Sequence, residues 1–187
     1  MFLFIIFIGV CIAVVIGATK SAINNPDARQ RYQPQKPYNP SSLDLAQTLR
    51  EQERFHAYYE EPVIKEHYNN IETIEAQYSV LYNLKQFHSP QMDNLISLCE
   101  KDISIAKEFC RLCKSYNRDI PPSYNTFKRL AIIYDKRKEY DKAIAVCVKS
   151  IELGFVEDGT SGKMYGRLAR MIRLSGSDKS VDYYLGN

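Results

Sequence analysis

Cys110-Arg111-Leu112-Cys113 is the arrangement in this chain that most directly invites chemistry. With Cys99 and Cys147 it could supply four thiolates for zinc, or on its own a thiol pair for redox exchange. A second CxxC knuckle is lacking, and all four thiols fall at spacings suited to helix packing. Buried reduced cysteine is therefore the expected state, with no cofactor and no metal. His56, His67 and His88 stand singly, without an HExxH arrangement or a Ser or Cys partner at motif spacing, so none qualifies as a catalytic base. The run GTSGK, Gly159 to Lys163, has Gly and Lys but not the GxxxxGK[ST] length, and it follows a helical pattern where a phosphate loop follows a strand. A turn between helices explains it better.

Charge is the remaining chemical resource. Lys163, Arg167, Arg170 and Arg173 wind along one helical segment as a spiral of cations. The chain carries a mild +3 overall, distributed as +3 over residues 19–42, −4 over 43–120 and +4 from 121 onward. An acidic middle between basic ends argues against a general polyanion binder, and the cationic stripe has no interleaved aromatic residues for stacking bases. Nucleic acid is accordingly not the expected partner.

The elements that must position these residues read as helices. Tryptophan is absent and only 8 glycines occur in 187 residues, which suits helices joined by short turns. Residues 1–18 are free of charge and, as a helix, span about 27 Å, close to a bilayer core. Cations follow this run and none precedes it, which predicts a single-pass anchor with the soluble domain in the cytosol. Cleavage near Ala18 with secretion is the alternative. Residues 19–42 hold Pro26, Pro34, Pro37 and Pro40 and read as an extended basic linker.

Beyond the linker, residues 43–120 form a helical region. One helix is predicted from Leu43 to about Tyr59, with Leu45, Leu49, Gln52 and His56 along one stripe, and a second from Pro62 to about Phe87. Residues 121–187 carry a more specific pattern. Phe127, Leu130, Ala131 and Tyr134 fall at offsets 0, 3, 4 and 7, followed by Tyr140, Ala143, Cys147, Ser150 and Leu153. FKRLAIIYDKRKEYDKAIAVCVKSIEL resembles the tetratricopeptide repeat in its large residue, Leu-small pair and tyrosines. Cys147 and Ser150 replace the usual aromatic and alanine, and Phe155 the usual proline. Tyr165, Leu168, Ala169 and Ile172 repeat the first helix 38 residues on, and Met92, Leu95, Ile96 and Cys99, with Ala106, Cys110 and Cys113, suggest an atypical earlier hairpin.

The resemblance implies an all-α fold, antiparallel helix hairpins stacked as a short solenoid with a concave binding face. It places Asn125, Lys128, Arg129 and Ile132 on that face beside Lys163, Arg167, Arg170 and Arg173, similar to the basic clamp by which some family members hold a peptide's terminal carboxylate. An ordinary solvated helix face is the competing account. The expected function is a non-catalytic, membrane-tethered adaptor or scaffold for a protein or acidic peptide, of unspecified oligomeric state. The alternatives are a membrane-bound thiol or metal enzyme using the cysteine cluster, and a structural subunit of a membrane assembly.

Overall fold

Two prolines and a serine set the starts of the central helices. Pro62 and Pro90 each stand in a first turn, where the missing N–H has no intrahelical partner to lose. Ser89 caps the second of these helices, its Oγ accepting from Met92 N at 3.2 Å. The computed structural model describes residues 42–186, and every regular element among them is helical. These are α1 (Ser42–Glu60), α2 (Pro62–Asn83), α3 (Pro90–Ser104), α4 (Ala106–Ser115), α5 (Asn125–Arg137), α6 (Tyr140–Glu152), α7 (Lys163–Ser175) and the five-residue α8 (Val181–Leu185). Residues from Thr48 onward pack as one unit, and residues 42–47 belong to another.

Among the described residues the architecture is an all-α bundle of seven helices of ten residues or more plus that short last turn. Helix α2 lies against α3, α3 against α5, α5 against α6, and α6 against α7. The core runs through Ile64, Ile74, Met92, Leu95, Phe127, Leu130, Met164 and Leu168. Ala131 and Ala143 are both fully buried, one on each of two packed helices, where a small side chain lets backbones approach. Tyr124 joins the Phe127 and Phe155 rings, with centroids at 5.5 and 4.9 Å. Each fully buried side chain of this size contributes about 1.5 to 3 kcal/mol.

The expected solenoid of repeated hairpins is not what the chain forms. Residues 91–113 do not fold back on themselves: the single link between α3 and α4, Ile105, keeps near-helical torsions of φ −89° and ψ −5°. Phe109 N still donates to Ile105 O at 2.9 Å, so the chain bends there without reversing. The reversal occurs earlier, between α2 and α3. Helix α2 stops at Asn83, short of the expected Phe87, because Lys85 takes φ 55° and Gln86 N closes on Leu81 O at 3.0 Å.

The later repeat also fails at the level of side chains. Helix α7 buries Met164, Leu168, Met171 and Ile172, whereas Ala169 faces solvent and Tyr165 is 45% exposed. The positions that should match the buried Phe127 and Ala131 are therefore turned outward. Helix α8 is five residues long and buries none of them, so it completes no further hairpin. On α1 the expected stripe is likewise displaced: Leu45 and Leu49 are 53% and 51% exposed, and Tyr58 is the side chain that goes into the core.

No helix among the described residues is long and apolar enough to cross a membrane. That corrects the single-pass topology and the localisation expected from the sequence, since nothing described spans a bilayer. The anchor assigned to residues 1–18 and the linker up to residue 41 lie outside the described residues.

Candidate functional site

The four cysteines of residues 48–186 are free and buried. Cys110 and Cys113, one turn apart on α4, turn to different partners. Cys113 Sγ shares a hydrogen bond with the Tyr58 hydroxyl at 3.5 Å, and Cys110 Sγ donates to Leu153 O at 4.0 Å. Burial pushes the Cys99 thiol up to about 12, helped by the carboxylates of Asp102, Glu100 and Glu75. Burial also pushes Cys147 up to about 12, against a smaller opposing pull from Arg167, and it raises Cys110. Such thiols stay protonated at neutral pH, where the thiolate is the reactive form. Among the described residues no three of His, Cys, Asp and Glu come together in a way that could hold a metal ion.

The cations expected to form a peptide clamp are distributed between α5 and α7, and four of them face carboxylates of this same chain. Arg129 Nε donates to Glu75 Oε1 at 2.9 Å while its guanidinium lies 4.5 Å over the Tyr78 ring, which ties α5 to α2. Arg170 Nη1 donates to Asp135 Oδ2 at 2.5 Å and ties α7 to α5. Lys163 pairs with Glu157 at 2.6 Å. Arg167, only 12% exposed, donates through Nε and Nη2 to Asp158 Oδ2 at 3.0 and 2.7 Å. Lys128 Nζ lies beside Gly159 in the loop before α7. Asn125 and Arg173 are exposed and Ile132 is half-buried, and neither Lys128 nor Arg173 makes an ion pair with a described residue.

Asp158, immediately before the GTSGK run, has its side chain fully buried by these contacts. Thr160 adds two donors, its backbone N at 2.9 Å and its hydroxyl at 2.6 Å, both to Oδ1. Burial acts to raise the Asp158 carboxyl, but the hydrogen bonds from Thr160 and Arg167 outweigh it and hold the group below its ordinary value.

A second buried carboxylate escaped the sequence reading. Asp102 of α3 is fully buried, with His67 Nδ1 donating to Oδ1 at 3.1 Å, Asn70 Nδ2 to Oδ1 at 3.4 Å and Thr126 Oγ1 to Oδ2 at 2.5 Å. Tyr124 donates its hydroxyl to the Asp102 carbonyl at 3.0 Å, and the His67 ring packs 4.2 Å from the Tyr124 ring. The cluster joins α2, α3 and α5. Its one trace in the sequence is that His67 and Asn70 interrupt the apolar stripe between Ile64 and Ile74, a polar pair where a core face needs hydrogen-bond partners. The imidazole bonds to Asp102 and its ring packs against Phe109 and Tyr124, so the geometry is that of a cross-link.

Concavities mark the surface of the described residues. A cleft of about 570 Å³ near the end of α1 is lined by Glu51, Arg54, Phe55, Tyr116, Asn117, Arg118 and Asp119. The Arg118 guanidinium sits 4.8, 4.5 and 5.3 Å over the rings of Phe55, Tyr58 and Tyr59, so this chain's own cation covers that aromatic cluster. A groove of about 520 Å³ between α2 and α3 is lined by Ala76, Gln77, Val80, Leu81, Gln91 and Asn94. A smaller one, about 290 Å³, runs between α3 and α6 across α5. Set against family models, curated proteins and solved structures, the chain matches none.

Proposed function

We propose that this protein is a non-catalytic scaffold that binds a partner protein through its helical surface. The observation that carries this reading is the α2–α3 groove, where apolar side chains are left in solvent: Val80 is 57% exposed, with Ala76 and the nearby Leu84 also exposed on the same outward side of α2. Contiguous exposed apolar surface rimmed by polar groups marks protein contact sites. The side chains that could do chemistry point the same way, since each has a structural employment. The four thiols are buried, with Cys99, Cys110 and Cys147 held protonated by that burial, His67 and Asp102 cross-link three helices, and four clamp cations are engaged by carboxylates. The weight of the reading accordingly rests on the grooves and not on the α5–α7 cations.

Chemical crosslinking of the full-length protein in its native source, followed by mass spectrometry, tests this. Crosslinks from the Val80 face to one recurring protein support a scaffold. A thiol titration of the folded protein in the same preparation checks the non-catalytic part: Cys99 and Cys147 should resist alkylation at neutral pH until the chain is unfolded. A fast-reacting thiol, or no recurring partner, counts against the reading.

A further inference from the structure

The α2–α3 groove carries no charge on its lining, whereas the groove between α3 and α6 does, and the difference identifies an occupant. Its lining is Glu100 and Ile103 of α3, Leu130 and Tyr134 of α5, and Lys142, Ala145, Val146 and Lys149 of α6. The exposed Ala145 and half-buried Val146 give it an apolar side above a floor of the buried Ile103 and Leu130. On α6, residues 142, 145, 146 and 149 recur at offsets 0, 3, 4 and 7, so one face of the helix presents two lysines flanking two apolar residues.

The charges on this lining are unequally occupied. Glu100 is engaged, its Oε1 accepting from the Tyr134 hydroxyl at 2.7 Å. Lys142 is shared between Glu139 at 2.6 Å and the face of the Tyr134 ring at 5.4 Å, with its side chain 64% exposed. Lys149 is exposed and makes no ion pair with a described residue. An apolar trough with cations on one rim matches a helix that has apolar residues on one face and carboxylates beside them. Leu130 and Tyr134 lie on the side of α5 about half a turn from Asn125, Lys128, Arg129 and Ile132, so this groove is distinct from the clamp expected from the sequence.

We infer that the α3–α6 groove binds an acidic amphipathic helix of a partner protein, its apolar face on Ala145 and Val146 and its carboxylates on Lys142 and Lys149. This rests on the scaffold reading and names the site and the chemistry of the partner. Lys142 and Lys149 are two helical turns apart, about 10 Å, so carboxylates with a two-turn spacing on the incoming helix face both.

The test uses the full-length protein and two fluorescent helical peptides of about 14 residues, four turns each. Both carry leucines at i, i+3, i+4 and i+7, one with glutamates flanking the stripe and the other with lysines in their place. Fluorescence anisotropy should show the glutamate peptide binding about tenfold more tightly, with the preference shrinking as salt is raised. The double variant Lys142→Glu and Lys149→Glu should reverse the preference while circular dichroism stays unchanged. Lys149→Glu alone, which breaks no ion pair, should reduce it by about threefold. Equal binding of the two peptides, or a preference untouched by either variant, overturns the proposal. A native crosslinked partner retained by the double variant, without any peptide preference, removes this groove and leaves the scaffold reading. Absence of a recurring partner with either protein removes both.

Discussion

Asp102 and Asp158 are both shut away from solvent, and the chain satisfies them in opposite ways. The side-chain donors to Asp102 come from His67, Asn70 and Thr126, which are 35, 32 and 24 residues away. Those to Asp158 come from Thr160 and Arg167, only 2 and 9 residues away. The first is a tertiary knot that closes only when α2, α3 and α5 are already docked. The second is a local latch that one loop and the start of one helix can form together. Burial of a carboxylate without partners is strongly unfavourable, so each arrangement is a condition on the fold around it. The knot reports whether three helices are correctly placed; the latch reports only whether α7 begins where it should.

The comparison is most exposed at Asp102. Replacing it with alanine leaves an imidazole, an amide and a hydroxyl in the core without their acceptor, at about 1 to 3 kcal/mol for each buried group left unpaired. Allowing for relaxation, Asp102→Ala should cost roughly 4 kcal/mol, read by urea denaturation. The next effect belongs to the latch. Arg167→Ala strands a buried carboxylate and should cost roughly 3 kcal/mol, with the loss concentrated in the loop and α7. If Arg167→Ala proves the more damaging of the two, the ranking of knot over latch is wrong. Hydrogen exchange should separate them further: Asp102→Ala should loosen α2, α3 and α5 together, whereas Arg167→Ala should loosen α7 first.

The latch also carries a pH signature. The folded carboxyl of Asp158 lies below its ordinary value, so its contribution is fully present above the unfolded value, about 3.9, and is lost as pH falls through the lower folded one. Thermal stability of the natural protein should therefore drop below about pH 4 by a component that Asp158→Asn lacks. Identical acid profiles for the two proteins would show that Asp158 is not held ionised by Arg167.

A purely apolar contact calibrates both. Ala143 and Ala131 are completely buried on the packed pair α5 and α6. Enlarging Ala143 to phenylalanine should overpack that contact and cost about 1 to 3 kcal/mol, below the knot and near the latch. An unchanged melting temperature would show that the pair does not approach closely at that point.

The parts of this fold that were legible in the sequence are those with local causes. Pro62 marks a helix start, and the buried faces of α3 and α5 follow from their apolar spacing. The stacking order was not legible, because an offset pattern of 0, 3, 4 and 7 belongs to any amphipathic helix and does not say which neighbour it meets. Ile105 shows the limit: no glycine or proline distinguishes a bend from a reversal there. Tyr165 and Ala169 show another, since one residue of rotation on α7 exchanges which residues are inside. Arg167 reads as a surface cation in sequence because nothing in the run EDGTSG announces that its aspartate will be buried. His67 and Asn70 were the one available warning of the Asp102 knot, and only their place on an apolar stripe made them so.

The smallest effect belongs to the backbone of the two reversals that bring the helices of the Asp102 knot and their neighbour α6 together. Lys85 follows α2 at the α2–α3 reversal, and Lys138 closes α5 before α6; they adopt φ of 55° and 61°, in the left-handed region. Both side chains are exposed, so neither residue is held there by burial. A residue with a Cβ pays about 1 kcal/mol or more for this conformation, which glycine avoids. Glycine also widens the unfolded ensemble by about 0.5 to 1 kcal/mol, so the net gain should be small. Lys85→Gly and Lys138→Gly should each therefore stabilise the protein by about 0.5 kcal/mol, and by equal amounts within error, since the term is local to each turn. Denaturation midpoints of the two variants and of the double variant check this, with additivity expected for turns that share no partner. A gain at Lys138 with a loss at Lys85 would mean that the α2–α3 reversal depends on its lysine side chain.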